Sequence, residues 1–151
     1  MATKTAEKPK SGGRSRSGGG RDGARPEDRK YLERFGDKLS KSTQRAKWTG
    51  SPDDSADRPG QTLATRSPDV IRAWAEERDA RPVTATRGPD GSPRTLRFDF
   101  GERSDRLEEL TWEDWLGTFE DRQLVFIYQE RKRDGSQSNF FRLDNPNRED
   151  G

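Results

Sequence analysis

Leu124-Val125-Phe126-Ile127-Tyr128 is a continuous apolar run that predicts the central strand of the fold. Strands that are buried on both faces have uninterrupted apolar sequences of this kind, whereas half-exposed strands alternate with polar residues. Because side chains alternate along a strand, Val125 and Ile127 should point away from the layer that holds Leu124, Phe126 and Tyr128. We therefore expect a second layer of structure to cover Val125 and Ile127.

Two helix N-termini are predicted in the residues that precede this run. Ser67 followed by Pro68 is typical of a helix N-terminus, and the apolar residues that follow predict a helix from about residue 68 to residue 78. Thr111 and Asp114 have capping-box spacing, with Asp in place of the preferred Glu. They predict a second helix over about residues 112–120.

Two turn signals predict two β-hairpins. Pro89-Asp90-Gly91 separates two alternating segments, and Asp134-Gly135 turns the chain from the apolar run towards residues 139–143. The resulting order is α-β-β-α-β-β over residues 67–145. It predicts a small two-layer α+β module with a mostly antiparallel four-stranded sheet and helices on one face.

The residues before this module predict a further helix. Tyr31, Phe35 and Leu39 recur four residues apart, which indicates an amphipathic helix within residues 26–48. This helix is our candidate to cover the exposed face of the central strand. Residues 49–66 contain proline, glycine and several aspartates, and predict a polar loop or linker.

The charge of the chain is unevenly distributed. Residues 1–25 hold seven Lys or Arg against two acidic residues, whereas residues 66–151 hold fifteen against nineteen, so the net charge of +2 hides a basic start. The first 25 residues are rich in glycine and serine and contain no aromatic residue. We expect them to form a disordered basic tail, and residues 146–151 to form a disordered end.

The composition excludes several classes of activity. The chain has no cysteine and no histidine, so it lacks thiolate nucleophiles, histidine bases and the usual zinc ligands. We expect no enzyme activity, no cofactor and no metal. No apolar run reaches the roughly 18 to 20 residues of a membrane helix, and the basic start lacks the apolar segment of a signal peptide. We expect a cytoplasmic protein with no membrane partner.

Basic residues suggest nucleic acid as the partner. Flexible segments with arginine among glycine and serine bind phosphates without reading sequence. A second basic group lies at the end of the predicted helix, and a third lies before the last turn. The candidate nucleic-acid-binding residues are Arg14, Arg16, Arg21, Lys38, Lys41, Arg45, Lys47, Arg131, Lys132 and Arg133.

Two alternatives stay open. The first is a protein-interaction adaptor that uses the 31–66 segment, with Tyr31, Phe35, Leu39 and Trp48 as the residues that contact an unidentified protein. The second is a small hydrolase that uses carboxylates around the second helix, from Glu108 to Asp121; no nucleophile or base accompanies them. The acidic cluster at residues 53–57 does not have the spacing of a calcium loop, because Arg58 would occupy its glycine position.

Several segments resemble a group of small bacterial proteins of unknown function. The segments are Ser40-Lys41-Ser42-Thr43-Gln44-Arg45-Ala46-Lys47-Trp48, Asp57-Arg58-Pro59-Gly60-Gln61-Thr62-Leu63-Ala64-Thr65-Arg66, Val70-Ile71-Arg72-Ala73-Trp74-Ala75-Glu76-Glu77-Arg78, Leu96-Arg97-Phe98-Asp99-Phe100, Leu107-Glu108-Glu109-Leu110-Thr111-Trp112-Glu113-Asp114-Trp115 and Tyr128-Gln129-Glu130. The resemblance covers roughly residues 27–148. It implies no catalytic role, and the polar character of residues 40–66 favours a binding role.

Overall fold

The computed structural model describes residues 24–101 and 106–147. The helices are α1 (Pro26–Phe35), α2 (Lys41–Arg45), α3 (Pro68–Glu77) and α4 (Trp112–Asp121), with a 3-10 turn at Gly36–Lys38. The strands are β1 (Lys47–Trp48), β2 (Leu63–Thr65), β3 (Arg81–Thr84), β4 (Arg97–Asp99), β5 (Glu108–Glu109), β6 (Val125–Tyr128) and β7 (Phe141–Asp144). Nearly all of the tail predicted at 1–25 and most of the C-terminal end predicted at 146–151 lie outside the described residues.

The strands form two sheets instead of one. β1, β2, β6 and β7 form a mixed sheet in that order, in which β1 and β2 are parallel and the other neighbours are antiparallel. β4, β3 and β5 form a second, antiparallel sheet. The α+β class and both hairpins are confirmed, but the single four-stranded sheet was wrong. β2 pairs with the second edge of β6, and β5 pairs with the second edge of β3, so each hairpin is extended by a short strand and the two hairpins belong to separate sheets.

The central strand β6 is buried along its whole length. Phe126 and Tyr128 pack in a cluster with α3 and α4, whereas Val125 and Ile127 pack in a second cluster with α1. The predictions that this run is covered on both faces, and that the helix containing Tyr31 supplies the second cover, are confirmed.

The helix predicted within 26–48 is divided into shorter elements. α1 ends at Phe35, the 3-10 turn follows, and Leu39 has an extended backbone. The Ser40 hydroxyl then accepts a hydrogen bond from the backbone N–H of Thr43 and begins α2. A serine that caps a new helix competes with continuation of the preceding one. The chain therefore turns back and adds β1 to the edge of the sheet.

The predicted linker at 49–66 contains a buried strand, and the prediction was wrong for these residues. Leu63 and Ala64 are fully buried and pair with Tyr128 and Ile127 of β6. Three residues are too few to show a periodic pattern. Leu63–Thr65 is a strand because the edge of β6 supplies backbone partners for it.

Residues 63–99 and 108–144 fold as two similar βαββ units. In each unit a short strand leads to a helix that is capped by a hydroxyl, from Ser67 or Thr111, and both helices are confirmed close to their predicted bounds. Each helix is followed by a residue with positive φ, Asp79 (φ 54°) or Gln123 (φ 59°), and then by the hairpin. The first strand of each unit pairs with the central strand of the other. The units therefore exchange strands and complete each other.

None of the helices in the described part of the chain has the length and apolar character needed to cross a membrane.

Candidate nucleic-acid interface

The two hairpin turns share the pattern Arg-x-x-Asp-Gly-Ser. In each turn the serine hydroxyl and backbone N–H donate to the aspartate carboxylate, of Asp90 in the first turn and Asp134 in the second. These bonds hold the pKa of both carboxyl groups below its ordinary value. In each turn the arginine also donates to the glycine carbonyl, over 2.7 Å from Arg87 and 3.1 Å from Arg131. The turns are therefore equivalent in backbone and in local hydrogen bonding.

The charges of the two turns differ. Arg87 forms a two-pronged ion pair with Glu108 at 3.0 and 2.8 Å, which lowers the pKa of that carboxyl group. Arg131 forms no ion pair within residues 24–101 and 106–147. The residues after it are Lys132 and Arg133, where the first turn has glycine and proline. We call residues 131–133 the basic turn.

The basic turn packs against the loop that precedes β2. The backbone N–H of Gly60 donates to the Arg131 carbonyl at 2.9 Å, and the Gln129 side chain donates to the Gly60 carbonyl at 3.2 Å. Beside this contact lies a cleft of about 340 Å³. Arg45 of α2, Arg58 of the loop and Arg133 of the turn all line it, so the fold brings basic residues from three separate segments to one cleft. We call this the arginine cleft.

The three arginines of the cleft are not held by acidic side chains within residues 24–101 and 106–147. None of them forms an ion pair with a carboxylate of the residues that the structure describes. The carboxylate next to Arg58 in the chain belongs to Asp57, which Lys47 binds at 2.9 Å; this bond, and to a lesser extent the charge of Arg58, lowers the pKa of Asp57. The other lining residues include the hydroxyl-bearing Ser42 and Thr62. The cleft can therefore offer several hydrogen-bond donors to an anion.

Gly60 permits this close packing. Its φ is +84°, and a Cβ atom at this position would lie 2.7 Å from the Cγ atom of Arg133. Glycine adopts positive φ without steric cost. The position therefore requires glycine for both its backbone conformation and the approach of the Arg133 side chain.

A second cleft of about 380 Å³ shares Arg58 and Pro59 with the arginine cleft. It contains Arg131, but also Asp57 and Glu130, and the Glu130 carboxylate accepts a hydrogen bond from the backbone N–H of Ala56 at 3.0 Å. Its mixed charges suit an anion less well than the arginine cleft does.

The structure separates the predicted nucleic-acid-binding residues into groups. Arg45 and Arg133 meet in the arginine cleft, and Arg131 and Lys132 are exposed in the same turn. Lys38 and Lys41 are exposed but do not line this cleft. The ammonium group of Lys47 is bound by Asp57 and by the Ser55 carbonyl. The three tail residues Arg14, Arg16 and Arg21 lie outside the described residues.

Arg58 is the member of the cleft that sequence reasoning missed. It lies in the predicted polar loop at residues 49–66, outside the predicted basic groups. The one sequence signal for Arg58 is the proline-glycine pair that follows it. Such a pair predicts a turn, and turns lie on the surface, where an arginine side chain can reach a ligand.

The residues predicted to bind a partner protein are buried. Tyr31, Phe35, Leu39 and Trp48 belong to the cluster between α1 and the mixed sheet, and each is no more than 7% exposed. The Tyr31 hydroxyl donates to the Gln123 carbonyl at 2.6 Å, and the Arg66 guanidinium lies over its ring. The structure gives these side chains a packing role. Contact with a partner stays a prediction, and it would require this layer to open.

Three of the six carboxylates around α4 pair with arginines. Glu108 pairs with Arg87, and Glu109 with Arg81. Glu120 lies 3.5 Å from Arg66. In the described part of the chain, no group of three or more potential metal-ligating residues converges.

A comparison of the chain with protein-family models, with curated proteins and with solved structures found no match.

Proposed function

We propose that this chain is a non-enzymatic binding protein that contacts the phosphate backbone of nucleic acid through the arginine cleft and the basic turn, without reading base sequence. The observation that carries the proposal is the convergence of Arg45, Arg58 and Arg133, from three separate segments, with no carboxylate paired to them in the described residues.

The chemistry of these side chains supports a phosphate ligand. A guanidinium group is planar, stays charged at any physiological pH, and donates in a fork that matches two phosphate oxygens. Such contacts fix a nucleic-acid backbone in place and carry no sequence information. The exposed basic turn beside the cleft extends the positive surface by Arg131 and Lys132.

The comparison of the two βαββ units supports the same assignment. The first turn keeps the hydrogen bonds of the pattern, but its arginine is neutralised by Glu108. The second turn has the same framework with three consecutive basic residues. The shared framework is explained by folding, whereas the additional charge is not. Arg14, Arg16 and Arg21 in the predicted tail would add phosphate contacts of the same kind.

The test is fluorescence anisotropy of a labelled oligonucleotide over a series of salt concentrations. The full chain is compared with the triple variant Arg45→Ala, Arg58→Ala and Arg133→Ala. Each phosphate contact to a single strand contributes about 0.7 to the slope of log affinity against log salt. Loss of three contacts should therefore weaken binding and reduce the slope by about 2.

A charge-matched control removes Arg34, Arg72 and Arg94 instead. These arginines are exposed and do not line the arginine cleft. The control variant should keep most of the affinity. Equal losses in the two variants would show that only net charge matters, and would contradict a site at the cleft. Absence of binding by the unaltered chain at low salt would refute nucleic-acid binding and leave the protein-adaptor alternative.

A further inference from the structure

Phe140 is unusual on this surface. It is 45% exposed, and it is the one large apolar side chain exposed among residues 24–101 and 106–147. The other aromatic rings near the hairpin, those of Phe126, Tyr128 and Phe141, pack against one another. The core therefore does not require Phe140.

The position of Phe140 in the hairpin places it near the arginine cleft. Its carbonyl accepts a hydrogen bond from the backbone N–H of Gln129. The two residues therefore lie opposite each other, next to the Tyr128–Phe141 pair and on the side of the turn. Alternation along the strand places Phe140 on the same face as Arg142. The Gln129 side chain donates to Gly60, and the Arg142 side chain donates to Ser42 at 2.6 Å. Gly60 and Ser42 both line the cleft.

An aromatic side chain beside a positively charged groove is the arrangement that binds single-stranded nucleic acid. The groove holds phosphates, and the exposed ring stacks on an unpaired base. Every base has a flat face, so such stacking tolerates any sequence. In a duplex the base faces are already stacked on each other and are not available to an external ring.

We propose that the ligand of the arginine cleft is a single strand, with one unpaired base stacked on Phe140 while the neighbouring phosphates contact Arg45, Arg58 and Arg133. This inference rests on the proposed function, since it specifies which form of nucleic acid the same site takes.

The experiment uses oligonucleotides that separate charge from stacking. A labelled oligothymidylate, an oligonucleotide of equal length made of abasic sugar phosphates, and a duplex of the same length are titrated with the full chain. The same titrations are made with Phe140→Ala and with Phe140→Trp. Phe140 belongs to neither buried cluster, so neither substitution should disrupt the core, and circular dichroism checks that both variants are folded.

The full chain should bind oligothymidylate more tightly than the abasic oligonucleotide or the duplex. Phe140→Ala should weaken oligothymidylate binding by about 5- to 150-fold, which is the range for loss of one stacked base. Phe140→Ala should leave the affinity for the abasic oligonucleotide and the salt slope unchanged. Phe140→Trp should bind oligothymidylate as tightly as the full chain does. Equal affinities of Phe140→Ala and the full chain for oligothymidylate would overturn this inference but leave the proposed function standing. Absence of binding to all three probes would overturn both.

Discussion

Arg78 and Arg122 occupy equivalent positions after α3 and α4, and each holds the hairpin of the other unit. Arg78 donates to the carbonyls of Ser138 at 2.7 Å and Glu130 at 2.9 Å, both in the second unit. Arg122 donates to the carbonyls of Arg94 and Pro93 in the first unit. The exchange of first strands between the units is thus accompanied by an exchange of arginine side chains. Each unit fixes the hairpin of the other.

The two arginines should differ in their contribution to stability. The Arg78 side chain is almost fully buried, and its guanidinium also stacks on Trp74 at 4.3 Å. Burial lowers its pKa, but a guanidinium remains charged. Arg78→Met would leave the buried carbonyl of Ser138 and the partly buried carbonyl of Glu130 without a charged donor. Hydrogen bonds to charged groups contribute about 1.5 to 3 kcal/mol each, so we expect a loss of about 3 kcal/mol in the free energy of unfolding.

Urea denaturation of Arg78→Met, Arg122→Met and Arg72→Met measures this difference. Arg122 is only partly buried, and its substitution should cost about 1 kcal/mol. Arg72 is exposed and pairs with Glu76 on the same helix, and its substitution should cost less than about 0.5 kcal/mol. If Arg78→Met were no more destabilising than Arg72→Met, the cross-unit bonds would not contribute to stability.

Both tyrosines of the chain should make the fold sensitive to high pH. Burial raises the pKa of Tyr31 and Tyr128 above the value of about 10 that a tyrosine has in an unfolded chain. Below pH 10 both states keep their protons, so the stability is fully present. Above about pH 10 the unfolded chain releases the protons while the folded chain retains them, and the stability falls by about 1.4 kcal/mol per pH unit for each tyrosine.

Unfolding measured by urea at a series of pH values, with tyrosinate absorbance followed in parallel, tests this prediction. Tyrosinate should form together with unfolding and not before it. The double variant Tyr31→Phe and Tyr128→Phe should be less stable at neutral pH, because it loses the hydrogen bonds to the Gln123 carbonyl and the Thr49 hydroxyl. Its stability should nevertheless fall less steeply above pH 10. Titration of both tyrosines near pH 10 in the folded chain would contradict the burial effect.

The parts of the fold that sequence predicted are those set by local physics. Ser67 and Thr111 each precede apolar residues at helical spacing, and each caps a helix. The run at 124–128 is too apolar to be exposed, and it forms a buried strand. The division into two sheets depends instead on long-range pairing. Leu63–Thr65 and Glu108–Glu109 have no strand pattern of their own, and they become strands only when the other unit offers an edge.

The sequence predicts only part of the candidate site, because the site also depends on long-range packing. Arg45 and Arg133 were recognisable as basic residues in basic segments, and so were their neighbours Lys41 and Lys132. Their meeting in one cleft depends on how the loop before β2 packs against the basic turn. That packing brings in Arg58, and no pattern along the chain shows it. Lys47 carries the same charge as these residues, but its ion pair with Asp57 makes it less available to bind an anion.

Gly60→Ala should weaken phosphate binding as well as stability. Alanine in the left-handed region costs about 1 to 2 kcal/mol, and the new methyl group would displace the Arg133 side chain from its place beside the loop. We expect the salt slope for a single-stranded oligonucleotide to fall by about 0.7, which corresponds to one lost phosphate contact.

Gly91→Ala is the matched control for this prediction. Gly91 has nearly the same backbone conformation, with φ of +85°, but a Cβ atom there would meet nothing within 4 Å. It also lies in the first turn, whose arginine is neutralised by Glu108. The control should therefore lose a similar amount of stability through backbone strain and keep the full affinity and salt slope. A loss of affinity in Gly91→Ala as large as that in Gly60→Ala would mean that general destabilisation, and not the displaced Arg133 side chain, causes the weaker binding.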